Sequence, residues 1–267
     1  MKYLNSKVIL KDSKIKGPTV AIFAGVHGDE ISGVRALDYL IPKIEIKAGK
    51  VYFVYANLKA IKQDKRFIEY NLNRCFLDKQ KKEMKNTLEG KTAKQLMLVL
   101  KKCDYVLDLH SSPNQDDPFV LCEKHCLDFV SCFPVPRVVM GTIVTHPGAS
   151  DGYLVNNGKI GFCLESGPLK SKKSVDLAKK SVINFLRKLK VIDGVEEVFK
   201  KKKFYFAKPF YTVKNGSIKL VKKFKDFQKL KKKTLIGYDG ETPVYLEKND
   251  IVLFPGTTIV KCKEIKI

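Results

Sequence analysis

The sequence predicts an α/β fold, with a largely parallel or mixed sheet flanked by helices over residues 1–192 and a small all-β domain over residues 193–267. Two observations carry that expectation. Short apolar runs of strand length alternate with longer runs of helical periodicity through the first two-thirds of the chain, the pattern that builds βαβ units. From about Asp193 the helical period is lost, and short strand-like pieces are punctuated by Asn215-Gly216, Asp239-Gly240 and Pro255-Gly256, dipeptides suited to hairpins and tight turns.

The first strand is predicted over residues 19–25, an uninterrupted apolar run of the kind that is covered on both faces. A helix follows at Ile31–Leu40, then a strand over residues 50–56. The polar stretch at 78–94 reads as a mobile excursion, and residues 92–103 read as a helix. Buried strands are predicted at 105–110, Arg137–Met140 and 160–165, and a closing helix at 174–189. His27, His110 and Glu165 all fall at the carboxyl ends of predicted strands, where functional groups of open α/β sheets collect.

A chain of 267 residues can bury a large core. It contains no apolar run near the ~18 residues of a membrane span. Residues 1–7 carry charge without a following apolar segment, so no secretory signal is expected and the predicted location is the cytoplasm. Seven cysteines, an odd number without disulfide-like spacing, agree with a reducing compartment. Cys122, His125, Cys126 and Cys132 fall close together but lack a Cys-x-x-Cys knuckle, and the expectation is buried thiols rather than a second zinc site.

The formal net charge of +23 invites a nucleic-acid or anionic-surface reading, most visibly in the lysine runs at 200–203 and 231–233. Arginine is scarce, the lysines are spread over the whole chain, and no nucleic-acid motif accompanies them. Nucleic-acid binding is therefore disfavoured, and a positive field that attracts small anionic substrates is expected instead. Self-association is left open.

His27 and Glu30, in Ala24-Gly25-Val26-His27-Gly28-Asp29-Glu30, stand between a strand-like and a helix-like run. At positions i and i+3 of a first helical turn, an imidazole and a carboxylate can face one cation. A lone His-x-x-Glu is otherwise a common helix start, its acids favoured by the N-terminal dipole. His110 ends a buried-strand pattern before Ser111-Ser112 and is the best third ligand; two His and one Glu match a catalytic zinc that leaves its fourth position to water. Glu165, followed by Ser166-Gly167-Pro168, is expected in a turn at the rim of the sheet, as a base beside the metal. Arg66 and Arg74 lie between the two halves of the metal site, and a guanidinium fork binds carboxylate where an ammonium is only a point charge.

Taken in order, Gly25-x-His27-Gly28-x-Glu30, Arg66, Asn71-Leu72-Asn73-Arg74-x-Phe76, Asp108-Leu109-His110 and Glu165-x-Gly167-Pro168 resemble the succinylglutamate desuccinylase and aspartoacylase family, which groups with zinc carboxypeptidase-like hydrolases. The motifs span about 140 residues, and the trailing β region is also a feature of that family. The resemblance implies a zinc carboxypeptidase-like mixed sheet and one Zn2+ per protomer on His27, Glu30 and His110. It further implies Glu165 as general base, Arg66 polarising the scissile carbonyl, and Asn73 with Arg74 holding the substrate's α-carboxylate.

Two positions depart from the family. Its usual Asp-Leu-Asn-Arg is here Asn71-Leu72-Asn73-Arg74, so a supporting carboxylate is missing. Aspartoacylases also place an arginine shortly before the general base to bind the side-chain carboxylate, whereas residues 151–164 offer only Lys159, which argues against N-acetylaspartate itself.

The implied reaction is hydrolysis of an N-acyl amino acid. A water whose pKa falls towards ~7 beside the zinc loses a proton to Glu165 and attacks the acyl carbonyl, and Glu165 then protonates the leaving amine. A metallocarboxypeptidase or cell-wall peptide amidase would use the same groups on a longer peptide; the interval of about 80 residues from Glu30 to His110 and the β appendage favour the deacylase. A basic nucleic-acid-binding protein with a relict metal site leaves the arginine and base motifs unexplained, and a zinc-stabilised scaffold without activity is weaker still.

Overall fold

A computed structural model describes residues 3–112, 117–211, 218–254 and 260–266. Asn215-Gly216 and Pro255-Gly256, expected at turns, lie outside the described residues.

The chain runs β1 (Lys7–Asp12), β2 (Thr19–Ala24), α1 (Ile31–Leu40), β3 (Lys50–Tyr55), α2 (Leu58–Gln63), α3 (Lys82–Lys85) and α4 (Leu88–Leu100). It continues through β4 (Tyr105–Ser112), β5 (Phe119–Leu121), β6 (Arg137–Met140), α5 (Thr142–Thr145), α6 (Ser150–Asn156), β7 (Ile160–Pro168) and α7 (Lys172–Lys188). It ends with β8 (Lys203–Pro209), β9 (Ile218–Leu220), β10 (Gln228–Leu230), β11 (Leu235–Asp239), β12 (Thr242–Tyr245), β13 (Asp250–Leu253) and β14 (Val260–Ile265). Short 3-10 segments occupy Leu72–Arg74 and Lys124–Cys132.

Eleven strands form one mixed sheet in the order β1-β3-β2-β4-β7-β5-β6-β8-β14-β13-β10, and β12-β11-β9 form a separate small antiparallel sheet. The centre, β3-β2-β4-β7, is parallel, and β5 enters antiparallel beside β7. Strands after residue 192 continue the same sheet, β8 parallel to β6 and then β14, β13 and β10 antiparallel. The small sheet packs on this extension through Ile218, Phe224, Ile236, Val244 and Val252.

β2 shows why the sheet is covered on both faces. Val20, Ile22 and Ala24 join one core with Ala36, Leu37 and Phe185 from α1 and α7, whereas Ala21 and Phe23 join another with Leu96, Met97 and Leu100 from α4. Side chains alternate with period two, so apolar residues at both phases bury both sides of the strand. Each fully buried Ile or Phe contributes roughly 1.5–3 kcal/mol. No helix among the described residues is long and apolar enough to cross a membrane.

Two local expectations are corrected. The segment 78–94 is not an excursion; it holds α3 and the start of α4, capped by Thr87, whose Oγ1 accepts from the Gly90 N–H at 3.0 Å. Its anchors include buried Glu89 and Thr92, polar groups that make a seated segment look solvated. Residues 166–168 are not a turn but the end of β7, which passes a register shift against β4 between His110 and Ser112. Asp239-Gly240 does form a hairpin turn, with Asp239 paired to Thr242 across β11 and β12.

Candidate functional site

The carboxyl ends of β2, β4 and β7 open into a cavity of about 350 Å3 lined by His27, Glu30, Arg66, Asn73, Arg74, His110 and Glu165, all the site residues expected from the sequence. Sheet register does part of the positioning. His110 and Glu165 are direct partners on β4 and β7, so the parallel strand spacing of about 4.8 Å sets how far apart their backbones lie.

His27 and Glu30 meet for a different reason than predicted. Glu30 precedes α1 with φ −91° and ψ 63°, and its N–H donates to the His27 carbonyl at 3.3 Å. A turn ahead of the helix, not a shared helical face, brings the pair together. Within that turn Gly28 approaches α2 so closely that a Cβ would lie 2.1 Å from the Ala60 carbonyl carbon, a contact only glycine permits. Its N–H donates to the Arg66 carbonyl at 3.2 Å, tying the turn to the arginine loop.

His27 Nδ1 is 2.8 Å from Glu30 Oε1 and His110 Nδ1 is 2.8 Å from Glu30 Oε2. The ligand atoms of these residues all lie within 4.8 Å of one another. The Ser111 N–H donates to Oε2 at 3.0 Å, and Arg66 donates to Oε1 at 2.8 Å. Behind the rings, His110 Nε2 lies 3.1 Å from Asp108 Oδ2, which also accepts from Ser150 Oγ. His27 Nε2 lies 3.0 Å from Asn71 Oδ1.

That last contact tests the site's fit to a metal. Asn71 Oδ1 also accepts the Asn73 backbone N–H at 2.9 Å, so the amide oxygen faces the ring and His27 Nε2 must carry the hydrogen. Burial lowers the His27 pKa to about 4, which leaves Nδ1 with a lone pair aimed at a carboxylate oxygen at neutral pH. Two acceptors at 2.8 Å call for a cation between them. For Glu30, burial is outweighed by His27 and His110, which hold its pKa well below the usual range; for His110, burial is outweighed by Asp108 and Glu30, which raise it. Two imidazoles and a carboxylate, oriented by partners on their far sides, could hold a divalent metal such as zinc.

Glu165 is 8% exposed, and its Oε2 has no hydrogen-bond partner among the described residues. Desolvation, then the nearby Glu30 charge, pushes its pKa up to about 8. A perturbed carboxyl in a cleft marks a functional-site candidate.

Arg74 is partly buried; its NH1 donates to the Asn73 carbonyl at 2.6 Å, and it makes no ion pair among the described residues. Burial, then the Arg66 charge, lowers its pKa to about 10. The loop carrying both arginines hangs on Glu89, which is fully buried and accepts the N–H groups of Ile68, Glu69 and Tyr70 at 2.7, 3.2 and 3.1 Å. Opposite, Gly148 adopts φ +84°, and a Cβ there would lie 2.3 Å from the Arg74 carbonyl oxygen. Asn73 Oδ1 accepts the Ser150 N–H at 3.3 Å.

Asp108, Glu89, His146 and Asp151 are parts of the site and its supports that the sequence reading does not assign. Asp108 carries a signal, since strand alternation puts it on the same side of β4 as His110. Glu89, His146 and Asp151 carry none. Asn71, which lacks the expected carboxylate, still gives His27 its acceptor through the amide oxygen. Lys159 does not line the cavity; its Nζ donates to the carbonyls of Lys101 and Cys103. Cys122, Cys126 and Cys132 are buried free thiols, and exposed His125 places Nε2 3.1 Å from the Lys159 carbonyl.

A family model for the succinylglutamate desuccinylase/aspartoacylase catalytic domain matches residues 16–189. The chain is 31% identical to a probable aspartoacylase of a Nostoc species over 166 residues, 55% of this chain and 54% of that protein. It is 24% identical to the succinylglutamate desuccinylase of Pseudoalteromonas atlantica over 203 residues, 66% of this chain and 58% of that one. It thus spans little more than half the length of these curated relatives. Among solved structures, succinylglutamate desuccinylase from Vibrio cholerae shares the fold with a TM-score of 0.75 at 19% identity, over 97% of this chain and 86% of that one. On the extent of the family match, the chain belongs to the succinylglutamate desuccinylase/aspartoacylase catalytic-domain family.

Proposed function

We propose that this protein is a zinc-dependent amidohydrolase that removes the acyl group from a small N-acyl amino acid. The observation that carries this reading is Arg74, a desolvated guanidinium without an ion-pair partner among the described residues, in one cavity with the His27–Glu30–His110 group and with Glu165, whose Oε2 likewise has no hydrogen-bond partner among those residues. A cation removed from water is stabilised by an anion. An α-carboxylate docked on Arg74, with Asn73 beside it, would bring the adjoining amide over the three ligand residues.

Zinc bound by His27, Glu30 and His110 would supply Lewis acidity and lower the pKa of water at the site towards ~7. Glu165 accepts the proton of the attacking water, and a base poised near the working pH suits that transfer. Arg66, already 2.8 Å from Glu30 Oε1, has further N–H groups to steady the oxygen that gains charge, an interaction worth roughly 3–4 kcal/mol per well-placed donor. Glu165 then returns its proton to the leaving amine. Asn71 and Asp108 keep both rings turned so that Nδ1 faces Glu30 throughout.

A cavity of about 350 Å3 is of the size that encloses a small ligand, which supports an N-acyl amino acid over the longer peptide of a carboxypeptidase or cell-wall amidase. The net charge of +23 favours docking of the substrate's α-carboxylate. Seven free, buried cysteines support a reducing location, the cytoplasm. Residues 1–192 are proposed as the catalytic unit, with residues 193–267 adding Phe254 to the cavity wall.

The test is metal analysis together with amine release from N-acyl amino acids and short peptides. One zinc per protomer, lost in His110→Ala with the fold kept, and release from N-acyl amino acids are expected. Full zinc in His110→Ala, or turnover confined to peptides, would overturn the reading.

A further inference from the structure

Beyond Arg66 and Arg74 the cavity lining holds no arginine or lysine among the described residues; its other charged members are the carboxylates Asp29, Glu30, Asp151 and Glu165. Once Arg74 meets an α-carboxylate and Arg66 the reacting carbonyl, a second carboxylate on the substrate finds no guanidinium and faces acids instead.

Asp29 and Asp151 are the lining acids that the hydrolytic scheme leaves unused, and Asp151 is the one beside the substrate clamp. It follows Ser150, whose N–H bonds Asn73 Oδ1 at 3.3 Å, so it stands beside the Asn73–Arg74 clamp. Its charge is felt at Arg74, yet the two make no ion pair. It is 7% exposed, and it lines the cavity.

His146 supplies a second acceptor. Thr145 Oγ1 gives its one hydrogen to the Thr142 carbonyl at 2.9 Å, so in its 2.7 Å contact with His146 the ring Nδ1 is the donor. Burial, then the Arg74 charge, lowers the His146 pKa to about 3, and the neutral ring keeps its lone pair on Nε2. The ring stands edge-on to Phe254 with centroids 5.3 Å apart, and Leu121 and Ile143 add apolar wall.

We propose that the cavity selects N-acyl amino acids whose side chain ends in a protonated amine, the alkyl stem lying on its apolar wall of Phe254, Leu121 and Ile143 and the ammonium donating to Asp151, with His146 Nε2 as the second acceptor the cavity offers. The proposal rests on the cavity being the amide-hydrolysing site.

The experiment compares kcat/KM for Nα-acetylornithine, Nα-acetylnorvaline and Nα-acetylglutamate, and Kd for free ornithine, norvaline and glutamate, using the zinc-loaded protein, Asp151→Asn and His146→Phe. The amine should be preferred by at least about tenfold over both others, the return on one charge-assisted hydrogen bond. That ratio should collapse towards one in Asp151→Asn and fall by a smaller factor in His146→Phe. A parent protein that prefers the glutamate or norvaline member would overturn the proposal. So would an Asp151→Asn variant that keeps the preference, or one that weakens all three ligands alike, which would make Asp151 a positioning residue for Arg74. Product binding separates the two readings: amine preference in Kd without hydrolysis of any amide sinks the hydrolase and supports the pocket, whereas hydrolysis without amine preference sinks the pocket alone.

Discussion

On one side of the cavity, His110 and Glu165 face each other from neighbouring strands, and Glu30 follows the end of the adjacent strand β2. On the other side, Arg66, Asn73 and Arg74 ride a loop held by Glu89, and His146 and Asp151 stand on the short segments around α5 and α6. Many backbone hydrogen bonds share the work of placing the first side, so no single one is decisive. A few buried polar groups, each with several partners, place the second. The contrast teaches that the proposed base and the metal-binding group rest largely on strand register, while Arg66 and the proposed recognition groups rest on a part that one substitution can reshape.

The largest effect is expected from Glu165→Gln, which keeps shape but removes the proton acceptor. The kcat should fall by about 10²- to 10⁴-fold with zinc content and KM near those of the parent. Near-parental kcat would place the base off the sheet side and break the division of labour.

Glu89→Leu probes the other side. It leaves the N–H groups of Ile68, Glu69 and Tyr70 without their acceptor, and losing three part-buried hydrogen bonds should cost about 3 kcal/mol in chemical denaturation, with a raised KM from displaced arginines. A loss below about 1 kcal/mol would mean that the loop is held elsewhere.

Asn71 links the two sides, since it belongs to the arginine loop yet orients His27. Asn71→Ala should weaken zinc by roughly 10- to 100-fold in competition with a chelator, the usual loss when a ligand's far-side partner is removed. Unchanged affinity would confine metal binding to the sheet side.

The smallest effect concerns pH in metal-free protein. The Glu165 pKa is about 8 when folded against an ordinary 4.5, so the folded state holds this proton more tightly. Its stabilisation is complete below pH 4.5 and is lost as pH rises through 8. Glu165→Gln should therefore match the parent in Tm at pH 4 and exceed it at pH 9; a difference independent of pH would contradict the assignment.

Much of the sheet side is legible in the sequence. Apolar residues at both phases of β2 announce a doubly covered strand, and His27, Glu30, His110 and Glu165 stand at strand ends where the pattern breaks. The recognition side is far less so. α3 and the first turns of α4 are concealed because their anchors, Glu89 and Thr92, are polar in composition and buried in fact.

The sequence by itself determined the class of fold and singled out three residues that could hold a metal and the two arginines of the cavity, because each depends on a local period or on a residue type suited to one chemistry. Only the tertiary structure decided that one Glu30 carboxylate bridges both rings, that Asn71 can stand in for an acid, that Arg74 has no ion-pair partner among the described residues, and that Asp151 and His146 share its cavity. Those facts arise from residues far apart in the chain, brought together by strand register and by the desolvation of each group, and neither leaves a mark in local sequence.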